Sequence, residues 1–179
     1  ADLHAHRRHT DFFYVLAGEL TIKLGPGAGE VGVPAGTLVH IPPMVVHGFR
    51  NAGDAELRYL NLHAPARGFA DYMRSIRDGS PIAYDQFEPP AEGTRPASEV
   101  RVGEVVSAAS APGAQVRVLA AIPAIEILEV ALSGGWEPAG TDDGVATALY
   151  VLDGDAAIAT EAGTFDAPRG AWAQIPPGV

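Results

Sequence analysis

Two five-residue stretches, YVLAG (Tyr14 to Gly18) and YVLDG (Tyr150 to Gly154), stand 136 positions apart, 14 to 150. Downstream, VPAGTLVHIPPMV (Val33 to Val45) returns as APRGAWAQIPPGV (Ala167 to Val179), with Gly170 over Gly36, a shift of 134. A chain that repeats at this length builds one supersecondary unit twice. Each unit reads as a strand ending in Gly, a hairpin, a second strand opened by Pro-x-Gly, and an Ile-Pro-Pro corner. The two-residue difference between the shifts falls in the hairpin loop.

Composition agrees with an all-β reading. Only 19% of the 179 residues are charged, while 21 Gly and 15 Pro supply turn signals for many short strands. Between the halves, RGFADYMRSIR (Arg67 to Arg77) places Phe69, Tyr72, Met73 and Ile76 at three- and four-residue spacing, which predicts one amphipathic helix. The Pro-rich stretch after it is too long for a turn and reads as an arm laid over the surface or across a subunit boundary. Strand patterning resumes with VRVGEVV, then QVRVLA, then Ile125 to Leu132. That last strand precedes YVLDG, whereas nothing comparable precedes YVLAG, and the second half stops where the first runs on past His47. The sequence therefore reads as a longer two-domain chain lacking both ends.

Charge and composition narrow the functions. A formal net charge of −10, with no basic cluster beyond Arg7 and Arg8, disfavours nucleic acid. The chain has no Cys, so a transition metal must be held by nitrogen and oxygen. VLAAIPAIEILEVAL is broken by Pro123, Glu126 and Glu129, which argues against a membrane span. The expectations are no nucleic acid, no membrane and a cytoplasmic location.

The chemistry concentrates near residue 1. In an extended segment, residues two apart share a face, so His4 and His6 can offer ring nitrogens to one point. His-x-His is followed by four residues, Asp11, six residues and Gly18. One hairpin later come Pro34-x-Gly36, ten residues, His47, three residues and Asn51. This series, from Leu3 to Asn51, resembles the two motifs of the cupin superfamily, with Asp11 where the family usually has Glu; the echo covers most of Glu126 to Val179.

The resemblance implies two tandem jelly-roll β-barrels: a cupin at 1–66 that carries the metal motifs, a helix and arm at 67–98, and a second cupin at 99–179. It also implies that His4, His6, His47 and Asp11 surround one divalent ion, which could be Fe, Mn, Ni, Co, Cu or Zn. Asp is a methylene shorter than Glu, so Asp11 could ligate, bond a metal-bound water, or stand outside a three-His site. His9 is expected to face solvent, His40 to sit at a barrel mouth or in the core, and His63 to be a structural hydrogen-bonder. Phe13 and Val15 share the parity of Asp11, and Phe49 and Asn51 that of His47. All four are expected to line the cavity, with core packing the alternative for the Phe residues. In the second half, Gly140, Asp142 and Thr147 stand where His4, His6 and Asp11 do, so its metal site is degenerate.

A bicupin with an acidic residue at this motif position is similar to the quercetin 2,3-dioxygenases. That likeness implies an oxidoreductase acting on a small aromatic or flavonol-like molecule, with Asp11 as general base. A non-catalytic small-molecule-binding cupin and an oxygen-independent isomerase or decarboxylase are the alternatives. A small-molecule substrate and a homodimer joined at sheet edges are the expected partners.

Overall fold

The computed structural model describes residues 2–25, 27–89, 94–136, 146–160 and 163–176. By contacts the chain divides into a unit at 1–131 and a unit at 132–179. The strands at 107–132 therefore fall almost wholly in the first unit, whereas the sequence starts its second half at 99.

In the first unit, β1 (Thr10–Ala17) lies between β4 (Leu38–Ile41) and β6 (Arg58–Ala64), with β7 (Arg101–Val102) outside β4, giving the order β6-β1-β4-β7. A second sheet has β2 (Glu19–Leu24) between β3 (Glu30–Pro34) and β5 (His47–Asn51). All these pairings are antiparallel.

Strand β1 is buried on both faces, which is why its FFYVLA portion (Phe12 to Ala17) reads as an unbroken apolar run. Phe13 and Val15 turn into the barrel and pack with Leu20, Ile22, Val33 and Val39. Phe12 and Tyr14 turn outward and meet Leu119 and Ala120 of β9 (Ala114–Ile122). Strand β9 sits between β8 (Ser107–Ala111) and β10 (Ile125–Leu132). The Tyr14 hydroxyl donates to Glu129 Oε2 at 2.7 Å, and Arg117 donates to the other oxygen of Glu129 at 2.6 Å. Strand β8, SAASA, has no β-branched or aromatic residue and carried no strand signal.

The glycine that ends β1 is required by its surroundings. Gly18 has φ +72°, and a Cβ there would lie 2.5 Å from the Glu56 carbonyl oxygen. Helix α1 (Phe69–Arg77) forms within the stretch whose spacing predicts it.

The second unit contains β11 (Thr147–Tyr150) paired with β14 (Trp172–Ile175), and β12 (Asp155–Thr160) paired with β13 (Gly163–Pro168). Its registers reproduce those of the first unit. Tyr14 pairs with Leu38 and Tyr150 with Trp172, while Glu19 pairs with Pro34 and Asp155 with Pro168. The turn bonds recur too: Val15 N–H donates to Thr37 O and Gly36 N–H to Val15 O, as Val151 N–H does to Ala171 O and Gly170 N–H to Val151 O. The repeat read from the sequence is thus a repeat of hydrogen-bond register, with the two-residue deficit between Thr160 and Gly163.

Candidate metal centre

His4 is not in a long strand; it makes an isolated antiparallel bridge to His47 through two backbone hydrogen bonds of 2.8 and 2.9 Å. This bridge ties the first motif to the start of β5. His6 is fixed from the other side, because its carbonyl accepts from Met44 N–H at 2.7 Å, and Met44 holds the left-handed φ of +68° as the chain leaves the Pro42-Pro43 corner. Asp11 enters from β1, two residues before Phe13 and on the same face.

The four side chains meet. One ligand atom from each of His4, His6, Asp11 and His47 lies within 4.8 Å of the others, and all four residues are buried. His47 Nε2 is 3.4 Å and His6 Nε2 is 3.6 Å from Asp11 Oδ2. With metal–ligand bonds of roughly 2.0–2.2 Å, neighbouring donors on one cation stand about 3–3.5 Å apart.

The orientation of the rings favours an ion as well. Nδ1 of His4 donates to Asp2 O (2.7 Å), Nδ1 of His6 to Asp85 O (2.5 Å) and Nδ1 of His47 to Val45 O (3.0 Å). A backbone carbonyl only accepts, so each bond selects the tautomer whose Nε2 carries the lone pair. Three such lone pairs gathered around a carboxylate match a divalent ion bound by nitrogen and oxygen.

Asp11 is held on its other side. Asn61 Nδ2 donates to Asp11 Oδ1 at 2.5 Å, and His63 Nε2 lies 3.1 Å from the same oxygen. Burial would raise the proton affinity of this carboxyl, but the close approach of the His47, His6 and His63 rings holds it well below the usual carboxylate range.

Two other assignments change, and a third gains a partner. His9, expected at the surface, is fully buried: Nδ1 is 3.1 Å from Asp85 Oδ2, Nε2 is 3.2 Å from the Tyr84 hydroxyl, and the ring stacks on His63 at 4.6 Å. The arm bearing Tyr84 and Asp85 covers it, and an irregular segment has no periodicity to reveal that. His63, expected as a structural hydrogen-bonder, does bond Tyr84 and Asn61, and it is also the cross-strand partner of Asp11. Asn51 does not reach the centre; it is exposed at the end of β5, bonded to Ala55 O and Gly53 N–H in the following turn. Asn51 still pairs with Leu20 of β2, but it is the last residue of its strand and its side chain is spent on the turn that follows.

Phe13 and Val15 are fully buried and Phe49 partly so, with the Phe13 ring 5.0 Å from Phe49 and 5.6 Å from Tyr59. His40 lies on the outward face of β4, stacked on Phe12 at 4.9 Å. In the second unit, Gly140 and Asp142 fall outside the described residues, and Thr147 occupies the register position of Asp11.

Comparison with known proteins agrees with this geometry. Residues 1–63 match the family described as "Cupin domain". That match covers about a third of the chain, the part that carries the four clustered side chains. Among solved structures, the Geobacillus kaustophilus protein GK1651 aligns with a TM-score of 0.52 at 15% identity, over 99% of this chain and 69% of its own. A mutant of Bacillus subtilis oxalate decarboxylase aligns at 0.52 and 14%, over 98% of this chain and 59% of its own. A further structure of Bacillus subtilis oxalate decarboxylase, a study of its Mn(II) centres, gives 0.53 and 14%, over 97% and 59%. The chain thus spans little more than half the length of the oxalate decarboxylases. No curated protein sequence matches it significantly. The fold is all-β and cupin-like, and among the described residues no helix is long and apolar enough to cross a membrane.

The buried imidazoles predict acid lability of the metal-free protein. Burial lowers His4 and His9 from 6.5 to about 4, and neighbouring histidines add to the effect. Their folded values lie below their unfolded ones, so as pH falls the unfolded chain takes up protons first. Stability is whole above about pH 6.5 and declines towards about pH 4, by at most roughly 3 kcal/mol per histidine. Asp11 extends the decline to lower pH, since its folded value is also depressed. Urea midpoints measured between about pH 7 and about pH 4.5 should fall steadily; a flat profile contradicts the assignment.

Proposed function

We propose that the chain is a metal-dependent cupin oxidoreductase, a dioxygenase acting on a small aromatic or flavonol-like molecule. In this reading Nε2 of His4, His6 and His47 and Oδ2 of Asp11 hold one divalent transition ion. The observation that carries it is the set of three Nδ1-to-carbonyl bonds, which aim three lone pairs at one buried carboxylate oxygen. When bound, such an ion polarises a substrate oxygen and, if redox-active, engages dioxygen.

The chain's own residues take the remaining roles. Asp11 acts as a ligand more readily than as a base, because its surroundings keep it ionised. Its Oδ1 is occupied by Asn61 and His63, leaving Oδ2 towards the imidazoles. The partly buried rings of Phe49 and Tyr59, packed on the core residue Phe13, suit an apolar or aromatic ligand bearing one oxygen donor.

The likeness to oxalate decarboxylases favours a second reading, oxygen-independent decarboxylation of a small carboxylic acid. Against a dianionic substrate stands the distribution of fixed positive charge: all 11 Arg and the single Lys, Lys23, are exposed. A small dianion inside the barrel would have only the ion to offset its charge. The second cupin at 99–179 belongs to the same proposal, supported by the matching registers of the two halves.

The decisive experiment is metal analysis of the purified protein followed by oxygen-electrode assays with flavonols and catechols. Stoichiometric metal with substrate-dependent oxygen uptake is expected. Turnover without oxygen uptake would transfer the protein to the decarboxylase or isomerase class, and absence of metal would leave a non-catalytic binding cupin.

A further inference from the structure

The arm between the helix and β7 does more than cross the surface. Ala5 and Phe87 exchange two backbone hydrogen bonds of 3.1 Å, and the Arg7 guanidinium sits 3.9 Å from the centre of the Phe87 ring. Two residues earlier, Asp85 is bonded through every acceptor it has. Its carbonyl takes the Nδ1 proton of His6, its carboxylate accepts from Arg7 N–H (3.1 Å) and Arg8 N–H (2.7 Å), and Oδ2 also meets Nδ1 of His9. Next to it, the Tyr84 hydroxyl is hydrogen-bonded to Nδ1 of His63 and lies 3.2 Å from Nε2 of His9, while its ring stacks on Tyr72 of the helix at 4.9 Å.

These bonds end at two of the four residues of the candidate centre. Through its carbonyl, Asp85 sets the tautomer and direction of His6; its carboxylate pins the 7–9 turn that joins His6 to β1. Through His63, Tyr84 reaches Asp11 Oδ1 and so bears on which oxygen of that carboxylate faces the imidazoles. We propose that Tyr84 and Asp85 of the arm are positioning residues of the metal centre, Asp85 orienting His6 and Tyr84 orienting Asp11 by way of His63. The inference rests on the metal-binding reading above and assigns part of the ion's affinity to a segment that supplies no ligand. Groups that orient metal ligands typically account for about 10–100-fold in affinity.

The test titrates Co(II) into the metal-stripped full chain and follows affinity and the visible d–d absorption, alongside the urea unfolding midpoint of each protein without metal. Tyr84→Phe, which keeps the stacked ring and loses the hydroxyl, and Asp85→Ala, which keeps the carbonyl on His6 but frees the 7–9 turn that the carboxylate pins, should each weaken Co(II) binding by about 10–100-fold and alter the absorption band. Asp85→Asn retains an acceptor oxygen and should recover part of the loss. Wild-type affinity and spectrum in Tyr84→Phe and Asp85→Ala overturn the inference while leaving the metal centre intact. A loss of affinity matched by a fall in the metal-free midpoint overturns it as well, because the arm would then act only on the fold. Failure of the wild-type protein to bind Co(II) removes the metal centre and this inference together.

Discussion

Changing His47 to alanine is expected to lower the affinity for a divalent cation by more than about 100-fold, beyond what loss of an orienting neighbour usually costs. His47 is 1% exposed, its Nδ1 is committed to the Val45 carbonyl, and its Nε2 faces Asp11 Oδ2 at 3.4 Å. Removal of the ring deletes one of the three imidazole donors in the cluster of His4, His6, Asp11 and His47. The fold should survive. The backbone bridge to His4 does not involve the ring, and the Val45 carbonyl left without its partner costs about 1–3 kcal/mol. Metal content after dialysis and calorimetric titration with Mn(II) or Co(II) would measure the effect; undiminished retention would mean that the ion, if any, sits elsewhere.

The largest effect on stability is expected from Phe13→Ala, about 3–5 kcal/mol. The ring is fully buried between Phe49 and Tyr59 and belongs to the cluster that fills the barrel. Asp11 precedes it by two residues on the same face, so parity alone admits two roles for Phe13: wall of a substrate pocket, or core. A denaturant midpoint lowered by this amount, with cation affinity largely kept in the folded protein, identifies core. A loss below about 1 kcal/mol accompanied by failure to bind an aromatic ligand identifies pocket wall.

Much of the first barrel was legible because turn chemistry and burial agree there. Gly18 marks the end of β1 where a side chain would strike Glu56, and the shared YVL-x-G and Ile-Pro-Pro elements have the same hydrogen-bond register in both halves. The His-x-His spacing and the distance to His47 likewise reflected the backbone that brings those rings together. What escaped was set by cross-strand and irregular contacts. Nothing local connects Asp11 with His63, 52 positions later, although the pairing of β1 with β6 places them side by side. Parity along β6 would have suggested Asn61 and His63 together had that pairing been known. His9 is buried by an arm whose prolines announce only the absence of regular structure, and Asn51, the last residue of its strand, is claimed by the turn that follows despite its parity.

The bridge between His4 and His47 bears on how an ion enters. Two of the rings hang from residues already laced together through their main chains, and the third is tethered by its own carbonyl and ring proton. Loading should therefore demand little rearrangement of the polypeptide, and the stripped protein should retain a ready-made cradle. Capture and escape would then be governed by how fast water leaves the cation and how easily it travels into the barrel, with scant contribution from refolding.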